Sequence, residues 1–251
     1  MIREIFMSLM VIHIVCDFYF QSQTMADNKK EKLSWVLWHS LIYAGCSAAF
    51  ILFMLPGVPL EYTVYFVVGH TLIDTGKYFV CKYINMKHFP LLRQEQNIFI
   101  IDQMLHILII LIIAYLIGSA EANTFYNVLY MKVLKVFGIS SMALVSWVIK
   151  ILLIHKPANI FISSILFRYK PSAKETSEVA DKNIGRYIGT LERIVMVILI
   201  SINQYSAVGL VLTAKSIARY DRISKEQEFA EYYLLGTLLS TIWAIVVSLL
   251  F

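Results

Sequence analysis

Charged side chains are scarce in this chain: Asp, Glu, Lys and Arg make up 16% of its 251 residues, against 59% that are hydrophobic. A soluble domain of any size needs more polar surface than that, so none is expected, and with a mean hydropathy of +0.68 the chain reads as an integral membrane protein. Cysteine is sparse as well. Cys16, Cys46 and Cys81 fall within or at the end of apolar runs, and an odd number cannot pair completely, which argues against structural disulfides. There is no Walker loop, no dinucleotide-binding glycine fingerprint and no nucleophile elbow, so nucleotide-driven chemistry is not indicated. Low-complexity segments and internal repeats are also lacking. The first apolar run has no small-residue cleavage site before "QSQTMADNKKEK" and contains His13, Cys16 and Asp17, so it is expected to be a retained span and not a signal peptide.

Apolar runs able to cross roughly 30 Å of hydrocarbon lie near 3–20, 33–55, 61–81, 98–118, 137–154, 188–213 and 232–251. The fold class expected is an all-α polytopic transmembrane bundle with six or seven spans plus short interfacial helices. Residues 1–120 form a four-helix transmembrane unit; 121–167 supply interfacial helices (121–136 and 156–167) and a fifth span, with a helix break at "HKP", 155–157. Residues 168–187 read as a cytoplasmic linker and 188–251 as a C-terminal helical membrane unit with a basic amphipathic segment at 214–231.

The net charge of +5 is a topology signal, since Lys and Arg in short loops mark the cytoplasmic side. Lys29, Lys30 and Lys32 in one loop and Lys82, Lys87 and Arg93 in another, with none in "PGVPL" at 56–60, place the N-terminus outside. A nucleic-acid partner is not expected. The rule conflicts with itself later: 155–186 and 215–225 are both basic, and a single span between them would put them on opposite sides. Either 188–213 dips in and returns, breaking at "SINQYSA" (201–207), or the rule fails there.

A polar constellation stands out against this apolar background. The first, third and fourth spans carry His13 and Asp17, His70 and Asp74, and Asp102 and His106, each pair four residues apart on one helix face; the second carries His39. The order inverts with helix direction, so Asp17, Asp74 and Asp102 share one depth near the cytoplasmic boundary. The histidines of these three helices form a second layer about 6 Å deeper at the helical rise, and His39 falls in the same slab. A charge near the bilayer centre costs roughly 2.5–3.5 kcal/mol. A transition metal would offset that cost, because imidazole and carboxylate suit one or two divalent ions, zinc first and manganese or iron as alternatives. Gln21, Tyr43, Tyr78 and Gln103 extend the same faces and are expected to orient the ligands. Two other readings stay open: a proton relay or substrate pathway, and plain buried His–Asp pairing.

The stretches "HIVCDFYFQSQTMADNK", "HSLIY", "GHTLIDTGKY" and "DQMLH" together resemble an uncharacterised family of bacterial multi-span membrane proteins, a domain of unknown function often encoded beside a SatD-like regulator. The resemblance covers about residues 5–118, and "GTLERI", "GLVLTAKSIARY" and "EYYLLGTLLS" are similar to that family's C-terminal half. It implies a bacterial inner-membrane protein and no settled activity. The repeated H-x-x-x-D is also similar to the YdjM-type group of membrane-bound metal-dependent hydrolases, over a much shorter stretch.

The expected function is therefore a membrane-embedded metal-dependent hydrolase acting on a lipid or lipid-linked substrate at the cytoplasmic leaflet, with Asp17 or Asp102 as general base. The alternatives are an ion- or proton-coupled transporter using the same cluster, or a non-catalytic membrane partner in a stress-response system that binds a cytoplasmic protein. Lys215, Arg219 and Arg222 could hold an anionic head group, against the blander reading of snorkelling or paired charges that also covers Glu192 and Arg193. Gly209 and Gly236 are expected at close helix contacts, and a homo-oligomer stays open.

Overall fold

The structure is a computed structural model that describes residues 1–83, 95–120, 127–169 and 178–251. Its regular elements are all helical: α1 (Ile2–Ile14), continued by a π-turn (Val15–Tyr19), α2 (Gln23–Asn28), α3 (Leu33–Met54), α4 (Leu60–Tyr83), α5 (Glu95–Ser119), α6 (Val128–Phe137), α7 (Ser141–Ile154), α8 (Lys156–Leu166), α9 (Glu178–Ser201), α10 (Tyr205–Ala218), α11 (Tyr220–Lys225) and α12 (Gln227–Leu250). The chain divides into two units, Met1–Ile149 and Lys150–Phe251.

In the first unit α1, α3, α4 and α5 close into a ring. Residue pairs across each contact run in opposite senses: Ile2 meets Gly118 while Phe18 meets Phe99, Tyr43 meets Phe66 while His39 meets Asp74, and Gly69 meets Ile109 while Lys77 meets Asp102. His13 with Tyr43 and Asp17 with His39 join α1 to α3 in the same way. Each helix is thus antiparallel to both neighbours, the up-and-down arrangement that short connections favour. Pro56 and Pro59 stop α3 and turn the chain within Leu55–Pro59. Ser22 caps α2 by accepting the Met25 N–H at 3.2 Å.

Two helix contacts in the ring need glycine. A Cβ on Gly69 would stand 2.9 Å from Ile109 Cγ2, and one on Gly118 would stand 2.5 Å from Ile2 Cγ1. The expected packing glycines fare differently: a Cβ on Gly236 would stand 3.2 Å from Leu166 Cδ1, whereas Gly209 faces open space.

The second unit packs α12 against α8 and α9, and α9 against α10. Pro157 has no N–H to give the Leu153 carbonyl, and the indole Nε1 of Trp243 donates to that oxygen at 3.0 Å instead. Arg193 Nε donates to the next carbonyl, Ile154, at 2.6 Å. The guanidinium is 2% exposed and also donates to Ser240 Oγ at 3.1 Å and Asn159 Oδ1 at 2.6 Å. So the expected break at 155–157 is present, and buried side chains heal it. Between α9 and α10 the chain reverses at Ile202–Gln204, where Asn203 takes φ 59°. Lys215 then meets Glu192 at 2.7 Å, which makes α9 and α10 a hairpin and returns the basic 215–225 segment to the end of α9 from which the chain came. Such a hairpin is what the dip-and-return alternative for 188–213 requires.

Among the described residues, four helical segments are long and apolar enough to cross a membrane: Leu33–Met54, Gln96–Ser119, Ser141–Leu166 and Gln227–Leu250. Six or seven were expected from hydropathy. The segments 3–20 and 61–81 fall short because they carry the ionisable residues of the polar constellation, and 188–213 because it is two helices, the first holding Glu192 and Arg193. The segment 156–167, expected as an interfacial helix, is the second half of the apolar stretch Ser141–Leu166. The amphipathic stretch 214–231 is interrupted at Arg219 and Glu226 and belongs to three helices. Lys87 and Arg93, and most of the 168–187 linker up to 177, lie outside the described residues.

Two stability outcomes follow. Gly69→Leu should lower stability by about 1–3 kcal/mol through overpacking against Ile109, whereas Gly209→Ala should be neutral or raise it by up to about 1 kcal/mol, read as thermal melts in detergent. Trp243→Phe should cost about 1–3 kcal/mol because it strands the Leu153 carbonyl; an unchanged melting temperature would show that the break needs no such donor.

Candidate metal centre

The antiparallel ring explains why a His-then-Asp order on α1 and α4 meets an Asp-then-His order on α5. Reversing the helix reverses the layer order, so like residues arrive at like depth. The rings of His13, His70 and His106 lie within 4.5–5.6 Å of one another, centroid to centroid. His39 reaches across from α3, its Nε2 3.2 Å from Asp17 Oδ1, 3.6 Å from Asp74 Oδ2 and 3.2 Å from His70 Nε2. All three aspartates and all four histidines are buried.

Two groups of ligand atoms lie within 4.8 Å of one another: Asp17, His39, His70 and Asp74 in the first, and Asp74, Asp102 and His106 in the second. Four of the six edges of the first group are close to those of a tetrahedral site. Ligands about 2.0–2.1 Å from a zinc ion stand about 3.3–3.4 Å apart in a tetrahedron, and four of the edges here measure 3.2, 3.2, 3.5 and 3.6 Å. In the second group the His106 tautomer is set by the backbone: its Nδ1 lies 2.8 Å from the Asp102 carbonyl oxygen, which can only accept, so Nδ1 carries the proton and Nε2 keeps its lone pair. That buried Nε2 has no hydrogen-bond partner, nor has Asp102 Oδ1. Asp74 belongs to both groups.

His13 joins neither ligand group; its Nδ1 pairs with the Tyr43 hydroxyl at 3.3 Å and its ring stacks on His106. Tyr43 also stacks face to face on His70, with centroids 3.6 Å apart, and so fixes that ring. Gln103 Nε2 donates to Asp102 Oδ2 at 3.1 Å and to Asp17 Oδ2 at 3.4 Å, tying α5 to α1. Gln21 accepts from Lys29 at 3.0 Å. The Tyr78 hydroxyl instead accepts from Lys82 at 2.7 Å. Of the basic trio in the other unit, Lys215 pairs with Glu192, Arg222 pairs with Glu226 at 3.2 Å and lies over the Phe229 ring, and Arg219 is exposed.

Two lysines that sequence reasoning did not place in the site are part of it. Lys29 Nζ lies 2.5 Å from Asp74 Oδ2, and Lys77 Nζ lies 2.9 Å from Asp102 Oδ2. Lys77 was legible: it stands three residues after Asp74 in "GHTLIDTGKY", on the same face. Lys29 was read only as a topology charge. The π-turn was not legible at all. Its Phe20 N–H reaches back five residues to the Val15 carbonyl at 3.0 Å, and Asp17 sits within the widened turn, a feature found frequently at functional sites.

A family model described as protein of unknown function (DUF3307) matches residues 5–137, more than half of the chain and nearly the whole ring. No curated protein and no solved structure matches the chain.

The lysine pairs predict unequal mutational costs in metal-stripped protein. Asp74→Ala leaves the Lys29 ammonium, only 13% exposed, without its partner and should cost about 3–5 kcal/mol. Asp102→Ala frees Lys77, which is 35% exposed and can turn to water, and should cost about 1 kcal/mol. Chemical denaturation in detergent with chelator present should rank them in that order.

Proposed function

We propose that this chain, which belongs to that family of unknown function, is a membrane-embedded metal-dependent hydrolase acting on a lipid or lipid-linked substrate. The observation that carries this reading is the tetrahedral spacing of His39, His70, Asp17 and Asp74, joined through Asp74 to the three-ligand group with Asp102 and His106. One or two divalent ions fit, zinc first, with manganese or iron as alternatives. The first group supplies four protein ligands, as closed structural sites do; the second supplies three, as sites that keep a position for water or substrate do.

A divalent ion bound there would bring the pKa of a water toward neutrality and polarise an acyl or phosphoryl oxygen. The chain's own groups do the rest. Water adds to the acyl carbon or phosphorus, the bond to the leaving oxygen breaks, one water proton passes to the Asp102 or Asp17 carboxylate, and that proton returns to the leaving group. The base is a carboxylate that holds no ion: with only the first group occupied that is Asp102, whose Oδ1 no protein group bonds. His39 and His70 bind, Tyr43 holds the His70 ring, and Gln103 holds the two carboxylates in register.

α1 and α4 are read here as spans too, because they complete a ring with two apolar helices and owe their lower hydropathy to the site itself. With α1 and α4 the expected count of six is reached, and the α9–α10 hairpin adds no span because it returns to the side it left. The lysines of 29–32 favour an aspartate layer toward the cytoplasm and an N-terminus outside. A second reading, an ion- or proton-coupled transporter, is favoured by the lysine–carboxylate pairs, which could exchange with a passing cation.

Metal analysis of full-length protein, stripped and reconstituted with zinc, manganese or iron(II), tests the proposal. Wild type should retain one or two ions; where two are bound, His39→Ala should remove one, Asp102→Ala the other, and Asp74→Ala both. No retained metal under any condition would sink the hydrolase. Ion uptake by proteoliposomes, lost in the same variants and without release of any product, would favour the transporter.

A further inference from the structure

The rim of the site carries a charge imbalance that the metal reading sharpens. Counting the histidines as neutral, three carboxylates (Asp17, Asp74, Asp102) and two ammoniums (Lys29, Lys77) leave the centre at −1. One divalent ion would bring it to +1 and two would bring it to +3. Asp74 Oδ2, the partner of Lys29, is also a candidate ligand oxygen, so an ion there would displace that ammonium, and Lys77 on Asp102 Oδ2 would face a dication held at the open Oδ1. A buried centre at +3 is costly unless an anion joins it.

The two lysines are placed to hold that anion. Their partners Asp74 and Asp102 have candidate ligand oxygens within 4.8 Å of each other, so both ammoniums sit over one small patch of the site. Each reaches it from the aspartate end, with side chains 13% and 35% exposed over carboxylates of 2% and 5%. Gln21 and Gln103, both part-exposed, complete a polar rim there, while the imidazoles lie deeper and closed. A neutral ester or amide entering this mouth would leave the charge at +3; a phosphoryl group with two negative charges would bring it to +1. We infer that the substrate class is a phosphate ester or phosphoanhydride, its phosphoryl oxygens clamped between Lys29 and Lys77 above the Asp74–Asp102 edge. The inference rests on the metal reading of this same site and narrows it from acyl or phosphoryl to phosphoryl.

The test uses zinc-loaded, full-length protein in nanodiscs of phosphatidylcholine, with zinc content measured on every sample. Inorganic pyrophosphate is titrated by calorimetry against wild type, Lys29→Met, Lys77→Met, Lys77→Arg and the control Lys132→Met, an exposed α6 lysine. Each Met variant should bind pyrophosphate about tenfold or more weakly, the scale of a lost charge-assisted hydrogen bond. Lys77→Arg should stay near wild type, and Lys132→Met should match it. A second set of nanodiscs doped with phosphatidic acid separates the sources: loss of apparent pyrophosphate affinity there identifies a lipid head group as occupant, and unchanged affinity identifies a soluble phosphate. Zinc-loaded wild type that binds no pyrophosphate in the first set, or binds it equally in the Met variants, would overturn the phosphoryl clamp while leaving the metal site standing. Absence of zinc from wild type would instead count against the metal reading itself.

Discussion

The structure of the first unit depends on the cost of burying three carboxylates. Each of Asp17, Asp74 and Asp102 is at most 8% exposed, and an isolated carboxylate in such surroundings is expensive enough that it must be paired, bonded or neutralised. The bundle brings all three to one level, where His39, Lys77 and Gln103 converge on them from α3, α4 and α5, and Lys29 from the residue that follows α2. Close approach is the second requirement, and Gly69 allows α4 to meet α5 one residue from His70. Packing and polar convergence therefore reinforce each other: loosen the ring and the carboxylates lose their partners.

Much of this was legible because helix direction leaves a mark in the order of residues. His-x-x-x-Asp on α1 and α4 and Asp-x-x-x-His on α5 make sense only if the third helix runs against the other two, and that one inversion implies both the antiparallel ring and the shared depth. What spacing could not show is which atoms meet. His13 and Asp17 are four apart, yet Asp17 enters a ligand group and His13 does not. Between them the helix widens into a π-turn, which carries no pattern that hydropathy or periodicity can detect.

The misread features share a physical origin, namely that hydropathy scores residues one at a time. α4 falls short of a membrane-spanning composition because His70, Asp74 and Lys77 are counted as if each faced the surroundings alone, although they face one another. Lys29 was assigned by its charge to a loop, while its side chain reaches back to Asp74, 45 residues away in sequence. The healing of the α7–α8 break escaped for the same reason: Pro157 announces a lost hydrogen bond, but nothing nearby says that Trp243, 90 residues from Leu153, replaces it.

The two units bury charge in contrasting ways, and the contrast bears on function. Arg193 is as buried as His70 and His106 of the candidate metal centre, yet protein oxygens from Ile154, Asn159, Thr190 and Ser240 take up its donors, so the guanidinium is a finished structural joint. The ring of the first unit pairs many of its polar atoms in the same way but leaves some open. Among its buried atoms, His39 Nδ1, His70 Nδ1, Asp102 Oδ1 and His106 Nε2 have no hydrogen-bond partner, and each such atom in a purely structural pairing would cost about 1–3 kcal/mol. A His–Asp network built only to fix helix register would have closed those bonds as the Arg193 cluster does. The open Asp102 Oδ1 and His106 Nε2 lie in a group with Asp74 that could hold a metal ion.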